Sequence, residues 1–239
     1  MRSIVNKKIL LSGKYYDYEF ERKRIRNINL RIRTDGTIYV SAPLSISDKK
    51  VEEFILSKED FIINAINKVN LKNENSLRPD SIGSGTEVRI FGRKRVVTLI
   101  SSDRNEVLLT DDNIFICIKD INNSKLINRV YNKWRSDCLK QKILHIASEV
   151  QPQFIAMGAR VPSGFKFRTM KSRWGSCKPG DGTLTFNYNL VEVPEDCIRY
   201  VVIHEYAHLL VPNHSDRFYR YVARVMPDWK EKRRILNEF

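Results

Sequence analysis

The 239-residue chain has little cysteine, no long apolar run and no glycine-rich phosphate loop. Each absence excludes something. Cys117, Cys138, Cys177 and Cys197 include no C-x-x-C pair, and four cysteines are too few for a disulfide scaffold. They read as reduced thiols packed as small hydrophobes. No stretch approaches the roughly 20 consecutive apolar residues of a membrane span. The opening "MRSIVNKKILLSGKYY" is broken by Lys7 and Lys8, and it lacks the apolar core and cleavage site of a secretory signal. A cytoplasmic chain without a membrane partner is expected. Oligomeric state is not legible at this level.

Acid is also short. The chain carries 42 Lys and Arg against 28 Asp and Glu, a formal net charge of +14. Residues 1–125 hold 23 basic and 17 acidic side chains, and residues 126–239 hold 19 and 11. The excess is therefore spread along the chain, which favours acidic partners, nucleic acid among them. Arg22, Lys23, Arg24, Arg26, Arg31 and Arg33 fall within twelve residues free of acid, so they are candidate phosphate contacts.

The pattern of apolar residues predicts an α+β fold, with a basic β-rich region over 1–122 and a second domain over 123–239. In "INLRIRTDGTIYVSAP" the alternation of Ile28, Leu30 and Ile32, followed by Asp35-Gly36, marks a hairpin. Helical spacing covers residues 47–68, with Ser47 as N-cap and Asp48 in the first turn. Residues 70–81 read as a polar loop. "EVRIFGRKRVVTLI", "EVLLT" and "NIFICI" read as strands. A long helix is expected from about 124 to 150, ending before Pro152. "FKFRTMKSRWGSC" and "TLTFNYNLVEV" form a second hairpin through "KPGDG". A helix over 194–210 follows, then helices over 215–225 and in the basic tail.

Three of the chain's four histidines lie within residues 201–214, "VVIHEYAHLLVPNH". On a helix, His204 and His208 stack on one face about 6 Å apart, a separation one zinc ion can bridge. Glu205 is one position round, able to reach water in the metal's coordination shell without ligating. His214, beyond the Pro212-Asn213 turn, is the natural third ligand. Burying this polar set unpaired among Val201, Val202, Ile203, Ala207, Leu209 and Leu210 would cost several kcal/mol. A metal offsets that cost, and the run contains no Lys or Arg to do so instead. His145, alone in its helix, reads as packing.

Three protein ligands leave a fourth position for water, the pattern of a catalytic zinc. Glu205 would act as general base and the zinc would polarise a carbonyl. Tyr219, Arg173 and Arg217 are candidates for holding the oxyanion, and Trp174 for walling the cleft. Gly175-Ser176 would let the backbone approach the helix, while Cys177 reads as packing. If "TLTFNYNLV" lies at a sheet edge, an extended peptide could pair with it.

The strings "KSRWGSC" (171–177), "LTFNYNLV" and "YVVIHEYAHLLVPNHSDRFY" (200–219) resemble the YgjP-like metallopeptidase family over roughly residues 125–239. "RNINLRIRTDGTIYVSAP" is similar to that family's basic β-rich lead-in. His214 followed by Phe218 is similar to the SprT-like and Wss1-like proteases that act on DNA–protein crosslinks. The resemblance implies a small gluzincin-like zinc-peptidase domain, with a short sheet, a helix carrying His204, Glu205 and His208, and His214 just past it. It implies a Zn2+ cofactor and a peptide or protein substrate, with DNA-associated proteins as one class. Two further readings stay open: a metal-dependent nucleotide phosphohydrolase, using Lys171 and Arg173 on phosphates, and a DNA-binding protein with a regulatory metal site.

Overall fold

Alternating residues near the N-terminus build the first sheet. The computed structural model describes residues 4–75, 79 and 81–239. The chain divides into two compact units, Met1–Glu74 and Asn75–Phe239. In the first, β1 (Val5–Leu11), β2 (Lys14–Lys23), β3 (Asn29–Ile32) and β4 (Ile38–Pro43) are ordered β1-β2-β4-β3. The expected Asp35-Gly36 hairpin joins β3 to β4, with Gly36 at φ 89° and the Thr37 N–H donating to Asp35 Oδ1 at 2.9 Å. Leu11, Tyr18, Ile38, Val40, Val51, Ile55 and Ile62 form this unit's core.

The helix expected over 47–68 is two helices, α1 (Asp48–Leu56) and α2 (Glu59–Asn75). Ser47 caps α1, accepting from the Lys50 N–H at 3.4 Å. The break has a local cause. The Ser57 hydroxyl bonds the Phe54 carbonyl at 2.7 Å, an alternative to continuing the helical ladder, and Glu59 and Asp60 then suit a new N-terminus. Because α2 runs to Asn75, the loop expected over 70–81 begins as helix, and residues 76–78 and 80 lie outside the described residues.

The second unit opens with β5 (Glu87–Ile90), β6 (Arg93–Ser101), β7 (Glu106–Leu109) and β8 (Asn113–Ile118), ordered β5-β6-β8-β7. The helix α3 (Ser124–Ala156) follows, then β9 (Gly164–Arg168), β10 (Gly175–Lys178) and β11 (Thr183–Asn187), ordered β10-β11-β9. A 3-10 turn (Tyr188–Glu192) leads to α4 (Glu195–Ala207), α5 (Asp216–Val225) and α6 (Trp229–Leu236). Among the described residues no helix is long and apolar enough to cross a membrane.

The unit boundary falls at 74/75, where the sequence suggests 122/123. A shared core explains the difference. Val97, Ile114, Ile116 and Ile118 of the second sheet belong to the same buried cluster as Leu139 and Ile143 of α3, Phe186 of β11, and Ile198 and Val202 of α4. The tight β5–β6 turn adds backbone bonds, with Phe91 and Gly92 N–H groups donating to the carbonyls of Val191 and Glu192 at 2.7 and 3.2 Å. α3 also runs past Pro152, contrary to expectation. Burial of Phe154 in its last turn, against Tyr206 at 5.6 Å, offsets the lost hydrogen bond, and Gly158 at φ 91° ends the helix.

Two expectations about the small sheet change. Leu190 and Tyr188 lie in the 3-10 turn, not on a strand. Nor is β11 an edge: it sits between β10, antiparallel, and β9, parallel. The edge strand against α4 is β10.

Candidate metal centre

Helix α4 is apolar nearly all round, so it is buried nearly all round. Cys197, Ile198, Val201, Val202, Ile203 and Ala207 are all core residues. Pro194 at the N-cap and Glu195 and Asp196 in the first turn set its start. The helix stops at Ala207, three residues earlier than the pattern suggests, and His208 is its C-cap. His208 still has helical dihedrals, φ −66° and ψ −19°, so it remains one turn from His204. The early stop has a use: the chain turns back at once, and the Val211 carbonyl comes within 3.2 Å of His208 Nδ1.

The structure brings His204, His208 and His214 together, with their potential ligand atoms all within 4.8 Å of one another. His204 Nε2 and His214 Nε2 are 3.0 Å apart. Ring centroids of the three imidazoles are separated by 4.8–4.9 Å. His204 Nδ1 faces the Tyr200 hydroxyl at 3.5 Å, as His208 Nδ1 faces the Val211 carbonyl, which turns both Nε2 atoms toward the centre. Phe218, fully buried on α5, backs all three rings at centroid distances of 4.6–5.0 Å. Burial, with His208 and His214 nearby, pulls the His204 pKa down to about 3; burial lowers that of His208 as well. Neutral imidazoles are what metal ligation requires.

Glu205 lies beside them, 4% exposed, with Oε2 making no hydrogen bond. Burial raises its pKa to about 8, partly opposed by Arg173 and by the Cys177 backbone N–H that bonds the carboxylate. β10 runs against this side chain so closely that a Cβ at Gly175 would lie 2.5 Å from Glu205 Oε1. The glycine in "RWGSC" is thus required by a carboxylate thirty positions away. Cys177 lines the same cleft, its thiol pushed up to about 12 chiefly by burial and then by Glu205, so it is not a thiolate.

Histidines, Glu205, Gly175 and Cys177 line a cleft of about 500 Å³, together with Arg173, Trp174 and Tyr200. Arg173 and Trp174 are therefore at the site. Tyr219 supports it from behind, stacking on Trp229 at 4.5 Å and more loosely on His214 at 6.2 Å. Arg217 lies over Tyr221, 5.9 Å from its ring centroid, and is not part of the cleft lining.

Several contributors escape sequence reasoning. Asn187, 3% exposed, spends most of its amide on the loop before β10. Its Nδ2 donates to the carbonyls of Met170 and Arg173 at 2.8 and 3.0 Å, and its Oδ1 accepts from the Met170 and Asn189 N–H groups at 3.2 and 3.1 Å. That pins the backbone carrying Arg173 and Trp174. Tyr200, one turn before His204, was open to helical spacing. Arg233, Leu236 and Asn237, brought to the cleft by α6, leave no local signal.

In the first unit, half of the basic cluster is engaged internally. Arg22 bonds Asp48 and the Pro43 and Ile46 carbonyls, Lys23 meets Glu21 and Tyr39 at 2.9 and 2.6 Å, and Arg33 meets Glu19 at 2.6 Å. Arg24, Arg26 and Arg31 are exposed.

No curated protein matches significantly. Among solved structures, the chain is similar to the metallopeptidase zymogen abylysin of Pyrococcus abyssi, at 25% identity over 42% of this chain and 94% of that one, with a TM-score of 0.34. It is also similar to the zymogen jannalysin of Methanocaldococcus jannaschii, at 19% identity over 41% and 92%, with a TM-score of 0.33. Residues 26–239 match the YgjP-like metallopeptidase domain, and the chain belongs to that family.

Proposed function

We propose that the protein is a zinc-dependent peptidase in which His204, His208 and His214 hold the ion and Glu205 is the general base. The observation that carries this reading is the convergence of three imidazoles beside a buried carboxylate whose Oε2 has no partner. The donor set fits zinc. Tetrahedral ligands at zinc–nitrogen distances of about 2.0–2.1 Å lie about 3.3 Å from one another, within the span of these nitrogens. Bound there, zinc would supply Lewis acidity, polarising a scissile carbonyl and acidifying water.

The chain's own residues do the rest. Tyr200 and the Val211 carbonyl hold His204 and His208 with their Nε2 atoms inward. Glu205 Oε2, uncommitted, accepts a proton and returns it to the leaving amine. The Cys177 N–H and Gly175 fix the position of that carboxylate. An extended peptide pairs with the β10 edge, which runs beside Glu205, and Trp174 shields the bond from bulk water. The Glu205→Gln protein should keep its zinc and lose peptide cleavage; turnover equal to wild type would sink the assignment. Nucleoside triphosphates assayed alongside separate the phosphohydrolase alternative.

The exposed Arg24, Arg26 and Arg31 favour a second reading, in which the substrates are proteins carried on nucleic acid. Affinity for single-stranded and duplex DNA across a salt series tests it. No binding at low salt, or a flat salt dependence, removes it.

A further inference from the structure

Three charged side chains line the metal cleft besides the histidines: Glu205, Arg173 and Arg233. Glu205 is buried and committed to the proton. The two guanidiniums are exposed and come from different walls, Arg173 from the loop before β10 and Arg233 from α6. Neither makes a salt bridge among the described residues. Arg233 is nevertheless held in place. Its Nη1 donates to the Tyr219 hydroxyl at 3.2 Å, its guanidinium lies 5.9 Å from that ring's centroid, and Tyr219 is itself stacked on Trp229. That bond uses one of five N–H donors. Arg233 lines the same cleft as His204, His208 and His214. Arg173 is placed by Asn187, which grips its backbone carbonyl, and it lines the cleft beside Glu205.

A cleft with two positioned guanidiniums that make no salt bridge, and with Trp174, Val201 and Leu236 also in its walls, is complementary to a carboxylate on a partly apolar chain. We propose that Arg173 and Arg233 form an anion subsite that selects peptides carrying a carboxylate close to the scissile bond. That group is either an acidic side chain or the free C-terminus. The proposal rests on the peptidase reading for its substrate, and its test separates the two.

Matched peptides differing only by Glu against Gln next to the cleavage position, and by free acid against amide at the C-terminus, distinguish the two carboxylate sources. Dye-labelled versions are titrated by anisotropy onto zinc-loaded, full-length Glu205→Gln protein, and kcat/KM is measured with the zinc-loaded wild type. The carboxylate-bearing member of at least one pair should bind and react about tenfold better at low salt, the scale of one charge-assisted hydrogen bond. The preference should weaken as salt rises. Arg233→Glu should abolish it and favour Lys in place of Glu, Arg233→Lys should retain most of it, and Arg220→Glu, an exposed α5 control outside the cleft lining, should leave it intact. Equal affinity within both pairs overturns the subsite, as does a preference surviving Arg233→Glu. Preferential binding without cleavage overturns the peptidase reading and leaves the subsite standing.

Discussion

Adding one methyl group at Gly175 tests whether β10 sets the position of Glu205, the proposed general base. An ideal Cβ there would lie 2.5 Å from Glu205 Oε1, 2.8 Å from Cγ and 2.9 Å from Cδ. Ordinary contact begins near 3.4 Å, so the overlap is roughly 0.5–0.9 Å at three atoms at once. The far end of a flexible chain could step aside, but Cγ belongs to the stem of a side chain 4% exposed on a core helix. Either the carboxylate swings away from its position beside the histidines, or β10 lifts and gives up the Cys177 N–H bond. Both outcomes misplace the base by about 0.5–1 Å, which costs on the order of a hundredfold in rate. Overpacking should also cost about 1–3 kcal/mol of stability. The three atoms nearest the new methyl all belong to Glu205 and none to a histidine, so zinc should stay bound.

The assay is peptide turnover by Gly175→Ala, with zinc content after gel filtration and thermal unfolding measured on the same sample. Gly180→Ala in the same hairpin is the control, because nothing lies within 4 Å of its Cβ. A kcat within twofold of wild type refutes the argument. Loss of zinc together with activity refutes it differently, showing that β10 supports the ligand helix and not the carboxylate.

Three other outcomes are expected. Tyr200→Phe removes the hydroxyl facing His204 Nδ1 and should weaken zinc affinity about 10–100-fold in a chelator competition, with the fold intact by circular dichroism. Asn187→Ala strands four backbone hydrogen-bonding groups of the 170–174 loop and of Asn189, so unfolding by urea should show a loss of about 2–4 kcal/mol. Asp48 is held below its usual carboxylate range by Lys7 first and Arg22 second. Its stabilisation is therefore complete above the ordinary carboxyl range and lost as pH falls through the depressed folded value; thermal midpoints of Asp48→Asn should fall less than those of wild type between pH 5 and 3.

What was legible in the sequence was what is local. His204, Glu205 and His208 lie on one helix and its C-cap, and His214 follows within one short turn, so spacing alone brings the three imidazoles together. The Asp35-Gly36 hairpin and the Ser47 cap are likewise local. The unit boundary was not, because it depends on which core Ile114, Ile116 and Ile118 join. Pro152 signals a helix end by propensity, and burial of Phe154 overrides it.

The site divides along the same line. The groups that would bind the metal come from one continuous stretch, residues 204–214, whereas those proposed to shape the reaction come from three separate places. Gly175 abuts Glu205 because β10 crosses α4, Asn187 grips the Arg173 loop because β11 is the central strand, and Arg233 arrives on the last helix. A short motif can therefore imply a metal while leaving open what the cleft accepts. The 170–189 segment and α6, more than the histidines, are where relatives of this chain should differ in substrate. Exchanging α6 between two family members should move the carboxylate preference with Arg233 while zinc affinity stays where it was; a preference that stays with the recipient would place selectivity on Arg173 and the β10 side alone.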